Sequence, residues 1–176
     1  QNQKRFAEAV DFLSEKLDVS PDSTSLLFQL GAMSERQGNY AEAEAYFRKI
    51  LEKEPDSGAA LNYLGYMLAD RDRHLEESLG LVQRALQRDP YNGAYLDSLG
   101  WIYFKMGELE LAEKNLLEAI ERLRLTGVVY DHLGDLYFEK GNFDKAVQFW
   151  RKALDQDDDE LQRDKVAQKI EQATPN

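Results

Sequence analysis

Apolar residues recur along this chain at helical spacing, and the stripes they form come in pairs. Leu27 and Leu30 make one face, Gly38 interrupts, and Ala43, Phe47 and Ile50 make a second. The couplet repeats as Leu61 and Leu64 with Ser78, Val82 and Ala85, then as Leu96 and Leu99 with Ala112, Leu116 and Ala119. It returns as Leu133 and Tyr137 with Ala146, Trp150 and Ala153. Each couplet predicts a helix, a turn and a second helix. A Leu-Gly pair marks every first helix, and the glycines Gly31, Gly65, Gly100 and Gly134 are spaced 34, 35 and 34 residues apart. A period of that size marks an array of helical hairpins, each packing only on its neighbours.

The period divides the chain into repeats at 24–57, 58–92, 93–126 and 127–158. Residues 1–21 read as the second half of a truncated repeat, with Phe6, Val10, Leu13 and Leu17 as its apolar stripe and Pro21 after it. Lacking a partner helix, that stripe is a candidate for self-association with a second copy. The chain opens on Gln1 within a half repeat, so it reads as a processed chain or an excised fragment. Residues 159–172 predict a mostly polar capping helix anchored by Leu161, Val166 and Ile170. The acidic run from Asp155 to Glu160 reads as its solvated start, suited to the positive end of a helix dipole.

Turn chemistry fits the same plan. Gly38, Gly107 and Gly141 stand where a first helix must close, and Gly38 supplies a left-handed conformation there. Asn39 with Glu42 three residues on resembles a capping box, and Asn142 is a further cap candidate. Pro55 and Pro90 stop second helices, whereas Arg124 stands in the corresponding place of the third repeat. The second repeat is one residue longer and has Asp70-Arg71-Asp72-Arg73-His74 at its turn, which predicts a looser connection. The Leu-Gly glycines and the small residues Ala43, Ser78, Ala112 and Ala146 fit a close helix crossing. Phe47, Val82, Leu116 and Trp150 are expected to fill the space between successive repeats.

Composition narrows the functional classes. Lys and Arg number 22 against 33 Asp and Glu, a net charge of −11, which lacks the basic footprint of nucleic-acid binding and is more compatible with a basic or mixed-charge partner. There is no cysteine, hence no disulfide or thiol chemistry. No apolar run reaches the roughly 20 residues a membrane span requires, so no direct membrane insertion is expected. No nucleophile sits beside a base and no glycine-rich phosphate loop follows a strand, so no enzyme activity and no cofactor are expected. Asp131 and Asp135 share a helix face while His132 points about 100° away, so the three do not converge on one metal. The Asp155–Glu160 run lacks the glycine and spaced ligands of a calcium loop. His74 reads as a surface residue.

The Leu-Gly, Tyr, Ala, Phe and Pro layout at a 34-residue period resembles the tetratricopeptide repeat (TPR) family over nearly the whole chain. Ser34 and Leu68 depart from its usual tyrosine, Lys16 from a small residue, and the third and fourth repeats lack the proline. Runs such as LNYLGYMLADR are similar to bacterial TPR proteins, some of them associated with the cell envelope. The resemblance implies an all-α, right-handed α–α superhelix whose first helices line a concave groove. It places Phe28, Ala32 and Glu35 there, with Asn62, Tyr66 and Ala69 from the second repeat. Asp97, Trp101 and Phe104 follow from the third, and Asp131, Asp135 and Phe138 from the fourth.

That set is aromatic and acidic, which implies an interaction scaffold for a protein or peptide with basic and apolar side chains. Capture of an acidic C-terminus, as in chaperone-binding members, is not expected. The corresponding places, Phe28, Ala32, Tyr63, Ala94 and Ser98, offer no cation. The alternative is the regulatory or substrate-presenting part of a larger enzyme such as a glycosyltransferase.

Overall fold

The computed structural model describes residues 2–124, 126–158 and 161–174, with side chains from Val10 onward apart from Asp11. Among these residues there are ten helices and no strand. They are α1 (Asn2–Val19), α2 (Thr24–Arg36), α3 (Tyr40–Lys53), α4 (Gly58–Asp70), α5 (Leu75–Arg88), α6 (Gly93–Lys105), α7 (Leu109–Ile120), α8 (Gly127–Glu139), α9 (Phe143–Leu154) and α10 (Arg163–Ala173). The chain is an all-α superhelix of stacked hairpins: α2 packs on α3, α4 on α5, α6 on α7 and α8 on α9. The even-numbered helices α2 to α8 form the inner row.

A glycine in each inner helix sets the hairpin spacing. A Cβ on Gly100 would lie 2.7 Å from Leu116 Cγ, and one on Gly65 2.7 Å from Val82 Cγ2. On Gly31 it would meet the Phe47 ring at 3.0 Å, and on Gly134 it would run into the Trp150 indole. So the large outer-helix residues first seat on the glycine of their own hairpin, rather than only filling the gap to the next as expected. The reason is reciprocal shape: a missing side chain on one helix receives a large one on the other. Phe47 also reaches the next hairpin, its ring 5.5 Å from that of Tyr63. Ala43, Ser78, Ala112 and Ala146 are fully buried.

The turns hold one surprise. Gly38, Gly107 and Gly141 are left-handed, with φ of 78°, 80° and 74°. The amide of Gly38 donates to Glu35 O at 2.8 Å, and that of Asn39 to Ser34 O at 2.8 Å. In the longer repeat Asp72 takes the glycine's place: its amide donates to Ala69 O and that of Arg73 to Leu68 O, both at 2.9 Å. The expected looser turn is therefore a tight one, with the extra residue absorbed by a second left-handed residue, His74. Asp tolerates that conformation better than most residues.

Capping also departs from expectation. Asn39 makes no side-chain cap bond. Ser34, buried in the place of a tyrosine, donates its hydroxyl to Glu42 at 3.0 Å and so takes the capping-box partner away. Asn142 does cap α9, accepting from Lys145 N at 3.2 Å. Asp158 is not merely solvated: its Oδ2 accepts from Val128 N at 3.3 Å, at the start of α8. Val166 is fully buried and Leu161 nearly so, anchoring α10 against α9. At the other end Leu17 packs on the first hydrophobic cluster, and Val10 and Leu13 are half-buried. The Phe6 side chain lies outside the described residues.

Candidate functional site: the inner face

Carboxylates on α4, α6 and α8 meet a donor from the next inner helix or, for α8, from the capping helix. Asp70 Oδ1, at the end of α4, accepts from Trp101 Nε1 of α6 at 3.2 Å. Asp97 of α6 lies 2.8 Å from His132 Nδ1 of α8. Asp131 and Asp135 of α8 both hold the Lys169 ammonium of α10 at 2.7 Å. Trp150 Nε1 also donates to Asp135, at 3.1 Å. These contacts form a ladder of acceptors and donors from α4 to the capping helix.

The middle of the ladder is an aromatic stack. The Trp101 indole lies 4.2 Å from the His132 ring and 4.9 Å from that of Phe104, near parallel to both. Tyr66 closes the other side of His132, at 6.2 Å. Trp101 is only 7% exposed, so its indole is part of the inner wall rather than a projecting anchor. Burial alone would lower the His132 pKa, but the charge and hydrogen bond of Asp97, with Asp131 and Asp135 behind, outweigh it. The imidazole is held above its usual value. Burial, then the nearby carboxylates of Asp70, Asp97, Glu35 and Asp131, push the Tyr66 hydroxyl well up. Asp135 is also raised, by burial and by Asp131, with Lys169 pulling the other way.

The other sequence-predicted residues fall into distinct places. Phe28 packs edge-on to Phe47 and Tyr63, at 5.6 and 5.0 Å, and is half-buried. Ala32 and Glu35 are half-buried on the same helix. Asn62 is 9% exposed, and its Oδ1 has no hydrogen-bond partner among the described residues. Ala69 joins Val82, Leu99 and Ile102 in the core. Phe138, 40% exposed, lies at the far edge of the row. Thus Tyr66, Asp97, Trp101 and Asp131 converge around His132, Asp131 and Asp135 pair through Lys169, and Phe28 stands apart.

Sequence reasoning missed Asp70, His132 and Lys169. Asp70 ends its helix in the same inner-row register, a signal available in hindsight. Lys169 had none, because the placement of α10 on α9 decides where its ammonium reaches. Among the described residues no cluster of His, Asp and Glu is arranged to hold a metal ion. No described helix is long and apolar enough to cross a membrane.

Stacked hairpins with this inner row define a helical-repeat solenoid. Family models of the tetratricopeptide repeat match residues 35–93, 94–122 and 128–160. The chain belongs to the tetratricopeptide repeat family. It is 35% identical over 121 residues to a TPR repeat-containing protein of Pseudomonas aeruginosa, a match covering 69% of this chain and 20% of that protein. It spans about a fifth or less of the length of the curated relatives it matches. Its fold is similar to that of a thermophilic TPR protein of Thermus thermophilus, with a TM-score of 0.80 and 21% identity over 96% of this chain and 92% of that one. It is also similar to PilW, a type IV pilus biogenesis factor, with a TM-score of 0.78 and 20% identity over 98% and 82% of the two chains.

Proposed function

We propose that this protein is a protein-interaction scaffold whose inner face takes a segment with basic and apolar side chains. The observation that carries this reading is Lys169. An ammonium from the chain itself sits between Asp131 and Asp135, with the Trp150 ring 5.9 Å away. The face is thus chemically fitted to a cation beside an aromatic. Upstream, Glu35, Asn62 and Tyr66 carry the same polar and aromatic chemistry towards Phe28.

The test is selection from a peptide library displayed against the intact chain, followed by binding of the enriched peptides to Tyr66→Ala and Glu35→Lys. Enrichment of basic-apolar peptides that lose affinity for both variants supports the reading. Enrichment of acidic peptides, or binding indifferent to both changes while the helical spectrum is retained, overturns it. A second reading has the chain present substrates within a larger enzyme. A catalytic domain encoded in the same gene would decide in its favour.

A further inference from the structure

After α4, α6 and α8 the residue that follows the inner helix comes near the start of the preceding outer helix. Arg71, directly after α4, lays its guanidinium 3.7 Å from the ring centroid of Tyr40, the first residue of α3. Met106, directly after α6, joins the cluster that holds Leu75, the first residue of α5. Lys140, directly after α8, pairs at 3.5 Å with Glu110, beside Leu109 at the start of α7. Tyr40, Leu75 and Leu109 are half-buried.

The fourth such slot is open. Phe143 begins α9 and is 50% exposed. Its ring meets that of Phe138 edge-on at 5.1 Å, and Phe138 is 40% exposed. The capping helix α10 is 11 residues long against 13 for each of α2, α4, α6 and α8, and it leaves both rings in water. Glu139 and Asp144, next in sequence to the two rings, are exposed. The neighbouring lysines are engaged elsewhere: Lys140 with Glu113 of α7 at 2.7 Å, and Lys145 with the Tyr137 hydroxyl of α8 and, at 3.9 Å, with Glu113.

We infer that the Phe138–Phe143 edge is a docking site for an arginine-bearing turn of a partner protein, its guanidinium stacking on Phe143 as Arg71 stacks on Tyr40. Charge and shape point the same way. The flanking carboxylates suit a guanidinium, and the chain shows with Tyr40 how such a slot is filled. Phe138 also belongs to the inner row of the preceding proposal, whereas Phe143 lies on an outer helix and does not, so the two sites can be told apart.

The experiment titrates the intact chain, labelled with ¹³C at its phenylalanine and tryptophan rings, with a blocked peptide copying residues 69–75, which contains Arg71. The expected result is a saturable shift of the Phe138 and Phe143 signals. Replacing the peptide's Arg71 by citrulline should weaken binding about fivefold, the factor an exposed cation–π contact supplies. Phe143→Ala, a change at an exposed position that leaves the core intact, should abolish the shift at Phe138. Shifts confined to Trp101 and Phe28 would place the peptide in the inner trough and overturn the edge site while leaving the trough reading standing. Absence of any saturable shift, indifference to citrulline, or a dimer in sedimentation that protects Phe143 would overturn it too.

Discussion

Trp101 lies flat on His132, their planes 19° apart, while His132 Nδ1–H donates to Asp97 across the gap between two inner helices. An imidazole whose pKa is held above its usual value thus sits between an indole and a carboxylate in the wall of the solenoid. This arrangement makes stability depend on pH. The folded pKa of His132 stands above its unfolded value of about 6.5, so its contribution is complete below that pH. It is lost as pH rises through the folded pKa. The melting temperature should therefore fall as pH rises above about 6.5, and Asp97→Asn should flatten that slope. A slope identical in wild type and Asp97→Asn would refute the assignment.

Lys169 ties the capping helix to the fourth repeat. Its replacement by Met keeps the aliphatic stem but leaves Asp131 and Asp135 facing each other, both about four-fifths buried. The expected cost is about 1–2 kcal/mol, below that of a fully buried pair because the lysine keeps some solvent contact. Adding Asp131→Asn to that variant should recover part of the loss. Chemical denaturation of the single and double variants measures both.

Gly134→Ala should be among the most damaging small changes in the chain. Its Cβ would enter the space of the Trp150 indole, and overpacking of this kind costs roughly 1–3 kcal/mol. Trp150→Ala attacks the same contact from the other side and should cost roughly 3–5 kcal/mol, since the ring is 2% exposed. Because the two residues touch, the double variant should lose less than the two single losses combined. Equality with that combined loss in urea unfolding would show that the ring and the glycine act separately.

Asp158 offers a check on a subtler contact. It accepts from an amide in the first turn of α8, where the helix dipole also favours a negative charge. Asp158→Ala should destabilise by about 1 kcal/mol. Hydrogen exchange at Val128 and Val129 should quicken with it.

The hairpins were legible from the sequence because their signal is redundant. Leu-Gly, small residue and large residue recur at one near-fixed spacing, so serine in place of alanine at Ser78 does not blur it. The inner face was legible only as a row of positions. Trp101 and Asp97 were placed on that row, yet their burial depends on His132, which sequence spacing had turned 100° away from the acids beside it. It faces Asp97 one helix over instead, a pairing 35 residues apart that follows from how neighbouring hairpins are set. Asn39 was misjudged for a related reason: its side chain turns to Gln37, and Ser34 holds the Glu42 carboxylate that would complete a capping box.

The ladder from Asp70 to Lys169 has a sense of direction, since every step runs from an acid to a group supplied further along the chain. Its units are therefore not interchangeable parts. Moving the fourth hairpin ahead of the third would set Asp135, the counterpart of Trp101 34 residues on, against Asp70 and part Lys169 from the Asp131–Asp135 pair. A shuffled version built from the same four hairpins would have the right helices and an inner wall that repels itself.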